Sequence, residues 1–492
     1  MPALQKAIQH YKNNELNESH QCIAPLLEQN PSSPQLWHFY GVIAARQHHN
    51  HLAINCLNKA CALSPENGEY LFNLANVYRQ ASKLEQALAT YQKALNYTNN
   101  QRSISINYGI ALKEHGLYDQ ALTVFQQMLK DYPDDIQACI NLGNIFSEMG
   151  QYTPAIAYYE KVIQLNPKCD EAHQNRAHIL LTQGNLTEGF EEYEWRWLKN
   201  GVNIKPDLTQ DLWNGTDLND KHIFVWGEQG IEQEIIFASV FPDLLQKARQ
   251  VSIECAPGLF PLFKRSFHQA VVVPSKYRSP EEQSFLADAN FQIPSGSLMR
   301  LLRKTFDHFP QHNGYLKADP LSVKELNARY YHSDNKMKVG ISWASKTESI
   351  NLEFWEPILS IPDIQFYNLQ DNDSLEEIEQ IENKLNIKIM NDPDIDPTKS
   401  LDDLASQIQT MDLVISISNF TAILAGAMGK SVWVFLPISS DWYWFSNTDG
   451  CQWFPDMRLF RQKNIHDWKS VVHEIGDALD KWSSKKVNDG KR

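Results

Sequence analysis

Read in steps of 34 residues, the N-terminal part of this chain repeats itself. Pro31, Pro65, Pro133 and Pro167 fall on one grid, with Asn99 in the remaining slot. Ala53, Ala87, Ala121 and Ala155 keep the same spacing. Twelve places before each Ala stands a small residue, Gly41, Ala75, Gly109 or Gly143; four places after it stands a large apolar one, Leu57, Tyr91, Phe125 or Tyr159. Small residues let two helices approach closely, and the Pro stops the second helix of each pair. Such a unit cannot bury its apolar face alone, so it has to stack on its neighbours. The expected product is an α-solenoid whose concave side holds another chain.

Small, small, large, Pro at this period resembles the tetratricopeptide repeat (TPR). The first repeat is degenerate, with Ser19 in the Ala slot, as a capping unit allows. Well-formed repeats start near Pro34, Gly68, Arg102 and Ile136. A sixth starts near Asp170, keeps Ala177 and Tyr193, then leaves the pattern at Tyr193-Glu194-Trp195-Arg196-Trp197. The solenoid is assigned to residues 1–198. Asn73, Asn107, Asn141 and Asn175 form a further column on the first helix of each pair, which lines the groove. An Asn amide both donates and accepts, so it can hold a peptide backbone without reading its sequence. TPR-armed protein O-glycosyltransferases carry such a ladder, and the column resembles it. Asn is also common at this place in TPR proteins of many functions, and both readings stand. The expected partner is a protein or peptide in the groove.

At 492 residues the chain has room for two or three domains. A net charge of −14 argues against a nucleic-acid partner or an anionic membrane surface. Met1 to Tyr11 holds no signal-peptide core, and no run approaches the roughly 18 apolar residues of a spanning helix. The seven Cys are scattered, with no C-x-x-C pair, which reads as reduced core thiols in the cytoplasm. His48, His49 and His51 have no carboxylate or Cys beside them in sequence, so a polar interhelical turn explains them better than a metal site.

Beyond about residue 220 the period changes. His222 to Trp226, Val251 to Cys255, Ala270 to Val273, Met337 to Trp343, Ile364 to Asn368, Ile387 to Met390, Leu413 to Ile417 and Val432 to Leu436 read as strands, with helical segments between them. Strands alternating with helices predict parallel sheets in α/β layers. Two such sets suggest two Rossmann-like lobes, residues 221–335 and 336–483, after a linker at 199–220 and before a polar tail at 484–492. Ligands in such folds bind beyond the carboxyl ends of the strands.

The motifs there carry a resemblance. Gly227-Glu228-Gln229-Gly230, Gly340-Ile341-Ser342-Trp343, Asn368-Leu369-Gln370, Leu424-Ala425-Gly426-Ala427-Met428-Gly429-Lys430 and Arg458-Leu459-Phe460-Arg461-Gln462 follow the Tyr193–Trp197 junction in one order. Together they look like a bacterial family of TPR proteins with a GT-B glycosyltransferase-like domain related to the heptosyltransferases. The resemblance implies a nucleotide-sugar cleft between the lobes and transfer of a sugar to a protein held by the TPR arm. The nucleotide-sugar would be a substrate, with no cofactor and no metal.

Such a transferase needs a base for the acceptor proton and a seat for the leaving diphosphate. Ser418-Asn419-Phe420-Thr421 opens a helix after a strand, and a helix N-terminus offers free N–H groups and positive dipole. Ser418, Asn419 and Thr421 add side-chain donors; an ordinary N-cap uses the same residue types. Lys346 adds a positive charge there or is a solvated loop lysine. The aromatic run Asp441-Trp442-Tyr443-Trp444-Phe445 suits packing better than sugar binding. Where the family has a base Asp, this chain has Gln233, with Glu232 adjacent as the nearest carboxylate. A family Arg aligns with Glu348, and a family His with Ile423. Two functions follow: a protein glycosyltransferase with Glu232 as base, or a TPR adaptor whose transferase-like lobes have become a scaffold.

Overall fold

The computed structural model describes residues 2–98, 101–199, 202–203, 208–228, 230–275, 286–331, 336–345, 349–370, 375–446, 448 and 450–490. It divides into two compact units, Met1–Ala172 and His173–Arg492.

The first unit is built of paired helices: α1 (Pro2–Lys12) with α2 (Leu16–Gln29), α3 (Pro34–Arg46) with α4 (Asn50–Leu63), α5 (Gly68–Gln80) with α6 (Leu84–Leu95), α7 (Gln101–Glu114) with α8 (Tyr118–Asp131), and α9 (Ile136–Glu148) with α10 (Tyr152–Leu165). The grid is packing. A side chain begun on Gly109 would meet the Phe125 ring at 2.5 Å, and one on Gly143 would meet Tyr159 at the same distance. The grid alanines are fully buried beside them. Ser33, Asn67 and Asp135 recur at the repeat interval as N-caps, each accepting backbone N–H bonds from the first turn it opens. Arg79 pairs with Glu114 at 2.8 Å and Lys113 with Glu148 at 2.6 Å, tying each repeat to the next.

A second column is visible only in the backbone. Asn14, His48, Ser82, Gly116, Gly150 and Gly184 all have positive φ, from 57° to 80°. Each follows the first helix of a pair. In each turn the next N–H reaches back five residues, as in Glu15 to His10, His49 to Ala44 and Leu117 to Leu112. This is the Schellman ending, whose left-handed residue closes the helix and turns the chain.

The second unit opens with α11 (Asp170–Thr182, its first residues in the first unit) and α12 (Leu186–Tyr193). Sequence spacing groups this pair with the solenoid, but its apolar face shares the core of the α/β part. Phe190 meets Trp442 edge-on at 5.8 Å, Tyr193 lies 6.4 Å from Phe237, and Leu181 and Leu186 join the same cluster.

After a short ribbon of β1 (Leu198–Lys199) and β2 (Val202–Asn203) come two wholly parallel sheets. The first holds β3 (Asp211–Leu212), β4 (His222–Trp226), β5 (Gln250–Cys255), β6 (Val271–Pro274) and β7 (Phe291–Pro294), in the order β3-β7-β4-β5-β6. The second holds β8 (Met337–Ser342), β9 (Ile364–Asn368), β10 (Ile389–Met390), β11 (Leu413–Ile417), β12 (Val432–Leu436) and β13 (Met457–Arg461), in the order β10-β9-β8-β11-β12-β13. Their strands bury both faces. Val432, Val434 and Leu436 face one core while Trp433 and Phe435 face another. Counted along the chain, the second sheet runs 3-2-1-4-5-6. That doubly wound order reverses between β8 and β11 and opens a crevice at their carboxyl ends. β3 lies inside the stretch expected to be linker, and β7 lies where no strand is expected from the sequence.

Candidate functional site

The crevice between β8 and β11 is where the Ser418–Thr421 turn lies. Asn419 caps the helix Phe420–Ala427 by accepting from Ala422 N–H at 3.2 Å. Its Oδ1 also accepts from Ser416 Oγ, and its Nδ2 donates to Ser342 Oγ, both at 2.8 Å. The amide therefore stitches β11 to the end of β8. Ser418 accepts from Trp444 Nε1 at 2.8 Å. Thr421 is buried one turn position further on. Ile423, in the family His slot, is fully buried in the core. Lys346 and Glu348 lie outside the described residues.

The crevice of the first sheet lies between β4 and β7. It is closed by protein. Glu228, just past β4, accepts from Gly296 N–H at 2.6 Å beyond β7. Its carboxylate is gripped by Arg196 at 2.8 and 2.9 Å. Arg196 also bonds Ser297 Oγ and stacks over Tyr193 and Trp197. Two of the motifs behind the family resemblance, the Tyr193–Trp197 junction and the Gly227–Gly230 turn, thus meet in one buried cluster.

Glu232 comes next, in the first turn of α13 (Ile231–Phe237). Its helix packs against the helix Phe420–Ala427, which brings the carboxylate near the Phe420 N–H. The proposed base and the proposed phosphate turn, from the ends of two different sheets, are therefore in contact. Burial raises the Glu232 carboxyl above the ordinary range, the charge of Asp441 raises it further, and the Phe420 N–H opposes both. Asp441 also accepts from Tyr443 OH at 2.8 Å. Gln233, in the family Asp slot, is half-buried beside it.

Two groups in this neighbourhood had no sequence signal. His178 on α11 is solvent-exposed, although the residues flanking it, Ala177 and Ile179, are buried. Its ring lies 6.2 Å from that of Tyr193. Burial lowers its pKa, and Asp441 partly opposes this. The Asp441 loop docks onto the same helix, where Ser446 N–H donates to Thr182 O at 2.7 Å. The second is Glu234, which is buried, accepts from Ala256 N–H at 2.8 Å, and is raised by burial to about 7.

The loop that carries Asp441 is held under strain. Phe445 has φ 50° and ψ 137°, a region a bulky residue rarely occupies. Arg461 at the end of β13 clamps it, donating to the carbonyls of Trp444, at 2.6 Å, and Phe445. The surrounding aromatic run packs, as expected: Trp442, Tyr443, Trp444 and Phe445 are all buried.

In the first unit the Asn column has a definite polarity. Asn107 and Asn141 donate back to their own helices, to Ser103 O at 2.9 Å and Gln137 O at 2.8 Å. Among the described residues their Oδ1 atoms accept nothing, so they present acceptors. Asn73 bonds His38 Nε2 at 2.8 Å, and burial keeps that imidazole's pKa low against the opposing charge of Glu69. Asn175 belongs to the second unit and is partly buried. His48, His49 and His51 border a depression of about 530 Å³, with His48 at φ 60° and bonded to Gln80. Among the described residues no three His, Cys, Asp or Glu converge to hold a metal.

Two family models match the chain: the tetratricopeptide repeat over residues 136–169, and the YpiA-like C-terminal tetratricopeptide repeats over residues 69–135. Residues 69–169 are tetratricopeptide repeats. These are protein-interaction repeats. Protein FlbA of Caulobacter vibrioides is 30% identical over 315 residues, covering 59% of this chain and 52% of that protein. The chain thus spans about half the length of this curated relative. Similar solved structures include YrrB, described as a TPR protein with an unusual peptide-binding site, at 22% identity over 35% of this chain and 89% of that one, TM-score 0.32. A tetratricopeptide repeat protein of Parabacteroides merdae matches at 17% identity over 39% of this chain and 77% of that one, TM-score 0.37. Among the described residues no helix is long and apolar enough to cross a membrane.

Proposed function

We propose that the chain is a protein glycosyltransferase that takes a nucleotide-sugar donor, with the TPR groove holding the acceptor protein. In this reading the two parallel sheets are the two Rossmann-like lobes of a GT-B fold. The observation that carries it is the Glu232–Phe420 contact. A carboxyl group beyond β4 and a helix N-terminus beyond β11 lie beside each other. An inverting transfer needs those two chemistries, a proton acceptor and an anion seat, within one sugar's width. Ser418, Asn419 and Thr421 border the donor side, with Lys346 as the further cation. Glu232 is the group placed to take the acceptor proton. The side-chain amides of the Asn column hold the backbone of the acceptor chain. The free cysteines suit a reducing, cytoplasmic setting.

The scaffold reading has its own support. The Phe420 N–H already faces the Glu232 carboxylate, and the Asn419 amide is spent on Ser342 and Ala422. Two donors that a diphosphate would want are occupied. Calorimetry with UDP, GDP, dTDP, ADP and CMP separates the two. The transferase reading expects one of them to bind in the micromolar to millimolar range. Silence across the panel would leave the scaffold.

A further inference from the structure

One helix start breaks the repeat. The second helix of each pair begins on the 34-residue grid, at Leu16, Asn50, Leu84, Tyr118, Tyr152 and Leu186. Five of the six are large and apolar, and only Asn50 is polar. The depression bordered by His48, His49 and His51 lies at this one start, and Ala81 and Lys83 from the turn of the next repeat close its other side. We propose that it is a binding site for a small phosphorylated polyol, such as a sugar phosphate. The proposal does not depend on the transferase reading.

Three observations lead there. First, the space is of ligand size. Its volume is about 530 Å³, and small-molecule pockets span about 300–1,000 Å³. Second, Asn50 lines it with an acceptor that has nothing to accept from. Its Oδ1 is hidden from water and has no hydrogen-bond partner among the described residues. A buried acceptor left in that state forfeits its hydration for no return. A leucine of the same shape, as in α2, α6 and α12, would avoid the loss. A hydroxyl group entering the depression would donate to Asn50 and remove it. Third, the border is one-sided in charge. In a chain of net charge −14, this depression is bordered by three imidazoles and the Lys83 ammonium, and no carboxylate lines it. Gln80 Nε2 donates to His48 Nδ1 at 3.0 Å. The neutral ring therefore carries its proton on Nε2, where it can donate to an anion.

The ligand must then combine a hydroxyl donor with a negative group. The cationic and N–H donors come from two different turns. A phosphate offers oxygens in several directions, where a carboxylate offers two in one plane. Phe, Tyr and Trp are absent from the lining, so a nucleobase has no platform to stack on. A phosphate monoester of a sugar or other polyol meets these conditions.

The test is calorimetry on the full-length chain with glucose 6-phosphate, beside inorganic phosphate and glucose. Glucose 6-phosphate should bind in the micromolar to millimolar range, inorganic phosphate more weakly and glucose not at all. Asn50→Leu keeps the shape, supplies the residue of neighbouring repeats and removes the acceptor. It should lower glucose 6-phosphate affinity about tenfold and leave that of inorganic phosphate as it was. Lys83→Gln, a change at an exposed side chain, should weaken both. Asn50→Tyr supplies the residue of α8 and α10, fills the depression and should abolish both. Circular dichroism reads the helix content, which all three variants should keep. Glucose 6-phosphate binding that survives both Asn50→Tyr and Lys83→Gln belongs elsewhere in the chain, the crevice beyond β11 included, and overturns the assignment. A parent that binds no glucose 6-phosphate overturns it as well, and a parent that instead binds an oligo-aspartate peptide makes the depression a protein contact. The transferase reading stands or falls separately, on the nucleotide panel.

Discussion

Arg196 holds Glu228 by two parallel hydrogen bonds of 2.8 and 2.9 Å, and both side chains are nearly hidden from water. A buried carboxylate and guanidinium each lose much hydration, so the pair is tolerated because the geometry is bidentate and further bonds complete it. Removing one partner strands the other. Arg196→Met should cost about 3–5 kcal/mol. Arg196→Met combined with Glu228→Gln should cost clearly less, because no bare charge remains. Thermal unfolding of the two variants checks this; equal losses would mean that the shape of the cluster matters and its charge does not.

Glu234 gives stability a pH dependence of unusual sign. Its carboxyl is near 4.5 when exposed and about 7 when folded. The folded chain therefore holds the extra proton, and stability falls as pH rises between those values. The cost at pH 8 is about 3 kcal/mol. Glu234→Gln keeps an acceptor for Ala256 N–H and removes the charge. Its melting temperature should exceed the parent's at pH 8 and match it near pH 4.5. A constant difference across that range would show that Glu234 does not titrate on unfolding.

Replacing Asn73, Asn107, Asn141 and Asn175 by Ala should weaken capture of peptides from a random display library while leaving helix content intact. Each lost net hydrogen bond is worth about 0.5–1.5 kcal/mol. Asn107 and Asn141, whose oxygens accept nothing among the described residues, should account for more of the loss than Asn73, which His38 already engages. Undiminished capture by the quadruple variant would reduce the column to a feature of repeat packing.

Ser82 occupies a left-handed turn position that Gly116 and Gly150 occupy one and two repeats later. The left-handed conformation costs a side-chain-bearing residue about 1–2 kcal/mol, and glycine returns about 0.5–1 kcal/mol of that in chain entropy. Ser82→Gly should stabilise its repeat by about 0.5–1 kcal/mol. Gly116→Ala should destabilise by a similar amount. Hydrogen exchange at the α5 and α7 amides reads both. A Ser82→Gly chain that loses stability would mean the Ser82 hydroxyl secures the turn.

The solenoid was legible because its code is one-dimensional: Gly109 and Phe125 touch at a fixed offset, and that offset recurs. The turn column escaped notice because only three of its six members are glycine, and Asn14, His48 and Ser82 reveal their conformation only in the backbone. Five strands of the second sheet, β8 to β12, were visible as apolar runs. β7 was not, since Phe291-Gln292-Ile293-Pro294 is short and ends in proline, and β3 is two residues long. The crevice beyond β11 could be placed from the Ile417-to-Ser418 boundary alone. The rest of the site could not. His178 and Asp441 lie in segments far apart in sequence, one a repeat helix and the other an aromatic loop, and only the shared core of α12 and the second sheet brings them near each other. The linker expectation for residues 199–220 failed at β3 because an edge strand needs only two residues when a neighbour such as β7 supplies the register.

The backbone turns of the repeats also grade the arm mechanically. Stacked repeats are held by their own folding and by contact with immediate neighbours, so a local weakness stays local. The first three turns spend energy on side chains in a backbone conformation made for glycine, while the turns at Gly116 and Gly150 do not. Breathing should therefore begin at α1 and α2 and die out towards α9. A partner threading in from that end meets a yielding entrance first and a firm grip later, so it can be sampled loosely before it is held.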